Sequence, residues 1–216
     1  LKLYNQCFND SKFKLIYLNW LYNKNPLGNF LGIDCFDGDN LIGQVGGIPF
    51  EYVLNKKNVK IILALNVCLI KKYRKKGYFS DMTKKFEQLV KENNYDGIIG
   101  ISNKSATPTW IKSISMINLF QLEVFLGLGE IKNSNFSTEE FCFYSCWNTE
   151  TINWRLNNPN NKIYVNKNSA EINSVYSKTK YPIIKAHAPL AFYKKKIIEN
   201  NYQASSLKPF LFIGKI

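Results

Sequence analysis

A chain of 216 residues, 45% hydrophobic, 15% aromatic and 21% charged, can bury a real core, and its composition is globular rather than disordered. The formal charge of +13 would ordinarily point to nucleic acid, but lysine and asparagine are spread through turns such as Asn55-Lys56-Lys57-Asn58 and Asn157-Asn158-Pro159-Asn160-Asn161. With no nucleic-acid motif beside it, the charge reads as compositional bias, and no nucleic-acid partner is expected.

The longest apolar run, Ile61 to Ile70, is broken by Asn66 and falls well short of the roughly 20 residues of a membrane helix. No charged start, apolar centre and small-residue cleavage site opens the chain, so a cytoplasmic protein is expected. The five cysteines, Cys7, Cys35, Cys68, Cys142 and Cys146, form no regular framework and read as reduced thiols. Cys142 and Cys146 with the single His187 do not make a four-ligand zinc site, so no metal is expected. His187 also lacks a neighbouring nucleophile signature, which argues against a Ser-His-Asp or Cys-His hydrolase.

In chain order, Phe13 to Tyr22 reads as a helix with Leu15, Leu18 and Tyr22 on one side, stopped by Asn25-Pro26-Leu27-Gly28. Phe30 to Phe36 is a short strand, and Asp37-Gly38-Asp39-Asn40 supplies hairpin turn residues. Leu41 to Leu54 follows as a second strand whose Gly43, Gly46, Gly47 and Pro49 suggest a bulge or a close backbone approach. After the turn Asn55 to Asn58, the strand Lys60 to Ile70 enters a basic, glycine-containing loop, Lys71-Lys72-Tyr73-Arg74-Lys75-Lys76-Gly77-Tyr78-Phe79. Met82, Phe86, Leu89 and Val90 then recur at helical spacing, with charged residues on the other face, and Gly97 to Ser102 is a further strand. A strand, a basic loop, a helix that begins at the loop, and a second strand make a phosphate-binding layout. Unpaired N–H groups at the helix start, together with the helix dipole, form an anion site. Ser80 and Asp81 suit that first turn.

Arg74-Lys75-Lys76-Gly77-Tyr78-Phe79 resembles the acyl-CoA pyrophosphate loop of the GNAT N-acetyltransferase superfamily, Arg/Gln-x-x-Gly-x-Gly/Ala. Tyr73-Arg74 and Phe79-Ser80 are similar to a branch whose loop reads roughly Tyr-Arg-Gly-x-Gly-x-Phe-Ser. Lys75 departs from that branch by replacing its small residue, and Phe79 departs from the general pattern. The resemblance covers about Phe13 to Phe125. It implies an α/β (α+β) fold: a mixed, mostly antiparallel twisted sheet flanked by helices. It implies acetyl-CoA as acyl donor, with the backbone of Cys68, Leu69 and Ile70 pairing with the pantetheine arm and the amides of Arg74, Lys75, Lys76, Gly77, Tyr78 and Phe79 holding the pyrophosphate. Asn103-Lys104-Ser105-Ala106 fits the family's Asn-x-x-Ala, so Asn103 reads equally as a cofactor contact and as a turn residue. Trp110 stands where the family carries a tyrosine, which places an indole where an acid would protonate the leaving thiolate, and Ser113 or Ser115 follows on the same helix.

From about Ser137 the sequence is less legible. Phe141 to Trp147 looks like a strand, and Tyr164-Val165, Tyr181 to Ile184 and Phe210 to Ile213 read as further strands. Leu18-Asn19-Trp20-Leu21-Tyr22-Asn23-Lys24-Asn25-Pro26 is echoed by Ile152-Asn153-Trp154-Arg155-Leu156-Asn157-Asn158-Pro159. The echo resembles two-part GNAT proteins of bacterial surface-polysaccharide pathways. That resemblance implies a domain over 1–136 and a smaller, truncated GNAT-like half over 137–216.

Acyl transfer to an amine needs a base, an oxyanion donor and protonation of the leaving thiolate. The resemblance implies the oxyanion donor near the backbone N–H of Leu69. The strand before the loop carries Asn66 and no acid. Glu51 is the nearest carboxylate for a base, with Asp34 behind it. The expected acceptor is a small-molecule amine, an amino sugar on a nucleotide or lipid carrier. A protein or peptide amine, or binding without catalysis, are the alternatives.

Overall fold

Short helices lead into the sheet. The computed structural model describes residues 1–8, 13–124, 143–146, 148–160, 163–165, 174–178, 185–189 and 207–215. They group into two compact units: Leu1–Phe50, Lys60–Leu122 and Phe210–Ile216 in one, Glu51–Val59 and Glu123–Pro209 in the other.

In the first unit, helix α1 (Lys2–Cys7) was not anticipated, although Leu3, Tyr4 and Cys7 follow a helical spacing. Helix α2 (Leu15–Asn23) buries Leu18, Trp20 and Leu21. Strands β1 (Leu31–Asp37) and β2 (Asn40–Leu54) form the expected hairpin, turning at Gly38 with φ 56°. Cys35 faces Gly43 and Phe36 faces Leu41, so Ile42 is the extra residue of a β-bulge.

The glycines of β2 answer to close backbone approach. A Cβ on Gly47 would run into the carbonyl of Leu63, and one on Gly46 into the carbonyl of Leu31 and the Phe30 ring. Both collisions are with backbone or a packed ring, so any side chain there would push the strands apart.

Strand β3 (Lys57–Ala64) follows a tight turn at Asn55 and Lys56, whose φ values of 48° and 67° suit a type I′ hairpin. The expected single strand from Lys60 to Ile70 is instead broken. Asn66 takes φ 53°, a left-handed conformation that asparagine tolerates, and the chain resumes as β4 (Cys68–Leu69). A short 3₁₀ turn (Lys71–Tyr73), helix α3 (Tyr78–Glu92), strand β5 (Gly97–Ser102), helix α4 (Thr107–Ile114) and strand β6 (Ile117–Val124) follow.

The sheet order is β1-β2-β3-β5-β11-β6, with β11 (Leu207–Lys215) inserted late in the chain and β4 paired to β2. Strands β3 and β5 run parallel, while β1/β2, β2/β4 and β5/β11 are antiparallel. This is the mixed, mostly antiparallel, open sheet flanked by helices that the loop implied. On one face Met82, Phe86 and Val90 of α3 and Trp110 and Ile114 of α4 pack on Ile42, Val45, Ile62 and Leu69. On the other, Leu3, Tyr4, Phe13 and Leu18 pack around Cys68. Alternation along β4 sends adjacent side chains to opposite faces, so this two-residue strand is clamped from both sides.

In the second unit, Tyr52, Val53 and Leu54 pair with β7 (Phe143–Ser145). Helix α5 (Thr149–Leu156) is closed by a capping box in which Thr151 N–H donates to Asn148 Oδ1 at 2.9 Å and Asn148 N–H to Thr151 Oγ1 at 3.0 Å. Strands β8 (Ile163–Val165), β9 (Ser174–Lys178) and β10 (Lys185–Pro189) form an antiparallel sheet. Phe141, Cys142 and Trp147, and the expected strand Tyr181 to Ile184, lie outside the described residues. The sequence echo has a structural counterpart: α2 buries Leu18 and Trp20, and α5 buries Ile152 and Trp154, each pair two residues apart.

Candidate active site

The site begins where two strands part. Pairing of β3 with β5 ends at Ala64 opposite Gly100. Beyond the kink at Asn66, Cys68 and Leu69 continue the ladder with β2, opposite Gln44 and Gly43. Ile70 N–H donates to the Ile42 carbonyl at 2.9 Å, making Ile70 and Ile42 a hydrogen-bonded antiparallel pair. The neighbouring pair Leu69/Gly43 is therefore the non-bonded kind, whose backbone groups point away from each other. Consequently Leu69 N–H and C=O face the side from which β5 has withdrawn. Arg74 Nε donates to that carbonyl at 3.0 Å and fills part of the space. Leu69 N–H remains directed into the gap, where it can stabilise a carbonyl oxygen as it gains charge.

The loop leaves this strand with an anion site at its far end. Gly77, at φ 89°, is the N-cap of α3, and no side chain caps the helix. Asp81 N–H is the first to reach back, to the Gly77 carbonyl at 3.1 Å, which leaves the N–H groups of Tyr78, Phe79 and Ser80 outside the helical ladder. A Cβ built on Gly77 meets nothing within 4 Å, so the loop is open beside the start of the helix. Ser80 and Asp81 lie in the first turn of α3, as expected. Ser80 Oγ lies 2.8 Å from Ser113 Oγ and ties α3 to α4.

Lys75 stands at φ 65°, a backbone region favouring glycine, where the related loops carry a small residue. Tyr73 anchors the loop by donating to Asp37 Oδ2 at 2.5 Å, and Lys72 and Lys76 lie over its ring at 4.7 and 5.8 Å. The loop thus offers backbone donors, an open seat and positive charge, which is what a pyrophosphate requires.

Across the gap, Asn103 ends β5. Its Oδ1 accepts from Ser105 N–H at 3.1 Å, Ser105 Oγ at 2.8 Å and Ala106 N–H at 3.0 Å. The carboxamide oxygen thus shapes the turn into α4, and Nδ2 is what Asn103 can offer a ligand. Trp110 is 3% exposed and meets Phe79 edge to face at 5.8 Å. It is a core residue joining α4 to the loop. Ile101 on β5 is 54% exposed, an apolar side chain beside the parting strands.

On the opposite face the structure brings together residues that sequence reasoning missed. Asn66 Nδ2 donates to Tyr22 Oη at 3.0 Å, Tyr22 Oη lies 2.6 Å from Tyr4 Oη, Tyr4 donates to Gln44 Oε1, and Gln44 Nε2 donates to Asp34 Oδ1 at 2.6 Å. Burial and the Tyr4 neighbour act in opposite directions on Tyr22, with burial dominant, so its phenol is raised; burial also raises Tyr4 and the Cys68 thiol. Only Asn66 and Asp34 stand out in the sequence, because α1 is not evident there and Tyr22 reads as packing. Glu51 lies eight positions along β2 from Gly43 and belongs to the second unit, where its carbonyl accepts from Cys146 N–H at 2.8 Å. The structure therefore clusters Leu69, Ile70, the 74–79 loop and Asn66 in one unit and groups Glu51 with the other.

Among the described residues no set of three or more His, Cys, Asp or Glu side chains converges to hold a metal, and no helix is long and apolar enough to cross a membrane.

The family model of the acetyltransferase (GNAT) domain matches residues 1–104, which include α1, the hairpin, the parting strands and the loop. Among solved structures, a GCN5-related N-acetyltransferase from Anabaena variabilis superposes with TM-score 0.62 at 11% identity, covering 100% of this chain and 69% of its own. A conserved protein of Enterococcus faecalis gives the same score and identity over 100% and 68%. A GCN5-related N-acetyltransferase from Kribbella flavida gives 0.54 at 11% identity over 86% and 60%. No curated protein sequence matches the chain significantly. Residues 1–104, just under half of the chain, thus match the GNAT acetyltransferase domain, and the fold is the one these solved proteins share.

Proposed function

We propose that the chain binds acetyl-CoA and moves its acetyl group to an amine. The carrying observation is the uncapped N-terminus of α3 behind the open seat at Gly77, reached from the gap that exposes Leu69 N–H. In this reading the pantetheine arm lies along Cys68, Leu69 and Ile70, and Leu69 N–H is the backbone group of this stretch that faces it. The pyrophosphate takes the amides of Arg74 to Phe79, and Asn103 contributes through Nδ2. Acetyl-CoA supplies an activated thioester. The protein holds its carbonyl against Leu69 N–H, and the amine attacks, forming the amide bond and breaking the carbon–sulfur bond. The thiolate takes its proton from water, since Trp110 is buried in the core and has no acidic proton to give.

The amine gives up its proton to water, since Glu51 lies eight positions along β2 from Gly43, the partner of Leu69, and belongs to the other unit. The preferred acceptor is an amino sugar, including a nucleotide-linked one, in surface-polysaccharide synthesis. The paired burial of Leu18/Trp20 and Ile152/Trp154 supports reading 137–216 as a degenerate second half beside a 1–136 acyl-CoA domain. A screen of glucosamine, nucleotide-linked amino sugars and free-amine peptides for CoA release tests this. Turnover with an amino sugar supports the reading, turnover with peptides alone rejects the acceptor, and no turnover with any amine rejects the transferase.

A further inference from the structure

The hydrogen-bond chain from Asp34 to Asn66 has only one consistent direction. An ionised carboxylate can only accept, so Gln44 must present Nε2 to Asp34 and turn Oε1 toward Tyr4. Tyr4 must then spend its single proton on Gln44. Its oxygen can only accept from Tyr22, which spends its own proton there. Tyr22 is left as an acceptor, so Asn66 must turn Nδ2 toward it. One surface charge on β1 thereby fixes the rotamer of an amide on the far side of β2, through two phenols whose burial keeps them protonated.

Asn66 stands between Ala64, the last residue paired with β5, and Cys68, the first of β4, so it marks the mouth where the strands part. One Nδ2 hydrogen is committed to Tyr22, which fixes the amide's orientation, and Oδ1 is its acceptor left to act. The same Tyr22 also lines an open groove of about 680 Å³ with Leu15, Ile16, Asn19, Asn23 and Phe30, none of them charged.

We propose that Asn66 Oδ1 accepts a hydrogen bond from the acceptor amine and aims its lone pair at the thioester, with Tyr22, Tyr4, Gln44 and Asp34 as positioning residues. The inference rests on the acetyl-transfer reading and deepens it. The orienting group on this strand is a neutral acceptor and takes no proton; it holds the amine after the proton has passed to water. The uncharged groove suits a neutral body at the amine-bearing end of the acceptor.

The test uses the full chain with acetyl-CoA and two probe amines, glucosamine and phenethylamine. Losing one neutral hydrogen bond, in Asn66→Ala or Tyr22→Phe, should raise the amine KM about 3- to 10-fold while the acetyl-CoA Kd stays within about twofold. Tyr22→Phe should also shift the side-chain amide signals of Asn66 in an NMR spectrum of the protein without substrate, a readout that does not depend on turnover. An unchanged amine KM in both variants, or equal weakening of both substrates, overturns the inference while leaving acetyl transfer standing. Absence of CoA release by the unaltered protein with every amine removes the transfer reading and this inference with it.

Discussion

Substituting Gly77 by alanine separates the backbone role of this residue from its role as a ligand seat. At φ 89° an alanine pays about 1–2 kcal/mol for the left-handed region, partly offset by about 0.4–1 kcal/mol from a less flexible unfolded chain. No steric cost adds to this, since nothing lies within 4 Å of the new Cβ. The net loss is about 1 kcal/mol, or roughly 2–4 °C in Tm for a chain of this size. If the open space seats the pyrophosphate, the methyl group enters it and breaks at least one charge-assisted amide bond of about 1.5–3 kcal/mol. That corresponds to about 10- to 150-fold in acetyl-CoA affinity. Gly38→Ala is the control, because Gly38 also has positive φ, 56°, and nothing within 4 Å of a Cβ, but sits in the β1/β2 turn. Thermal unfolding and calorimetric titration should show similar stability losses in both variants and an affinity loss in Gly77→Ala alone. Equal acetyl-CoA affinity in Gly77→Ala and the unaltered protein would refute the assignment of the seat.

Lys75→Gly should relieve left-handed strain at φ 65° while restoring unfolded-chain freedom, so urea unfolding should change by less than about 1 kcal/mol, whereas a proline-like collapse of stability would contradict the local geometry. Trp110→Ala should cost about 3–5 kcal/mol by chemical denaturation, as expected for a buried aromatic; a loss under 1 kcal/mol would show that it does not pack in the core. Burial raises Tyr4, Tyr22 and Tyr52 above the ordinary phenol value of 10.0, so these groups keep their protons in the folded state after the unfolded chain would lose them. Their contribution is present below about pH 10 and is lost as pH climbs past it. Absorbance at 295 nm should therefore show a class of tyrosines that ionises only with unfolding, and a single titration of all thirteen near pH 10 would contradict their burial.

The first unit was largely legible because its signals are local. Asp37 to Asn40 is turn chemistry, Met82, Phe86 and Val90 are a helical stripe, and the Gly46-Gly47 pair announced close backbones that Leu31 and Leu63 supply. What was missed depends on distant partners. Asn66 breaks the strand because its φ of 53° is tolerated and the ladder with β2 resumes beyond it, which no periodicity reveals. Ser80 falls in the first turn of α3 as its type suggests, but its partner, Ser113, is thirty-three residues away and out of reach of local patterning. Tyr4, Tyr22 and Gln44 meet only through tertiary packing of α1 and α2 on the sheet, so nothing in their spacing ties them to Asp34. Asn103 could be read two ways until its oxygen was seen to close the turn into α4.

In the proposed function the loop from Arg74 to Phe79 seats the pyrophosphate of acetyl-CoA. Titrating acetyl-CoA into the ¹⁵N-labelled protein while following backbone amides tests it most directly. Saturable shifts should concentrate at Leu69, Gly77, Tyr78, Phe79 and Ser80, be reproduced by CoA, and weaken when the pyrophosphate is absent, as with acetyl-pantetheine. No shifts at millimolar acetyl-CoA, or shifts that leave Gly77 to Ser80 untouched, would contradict it.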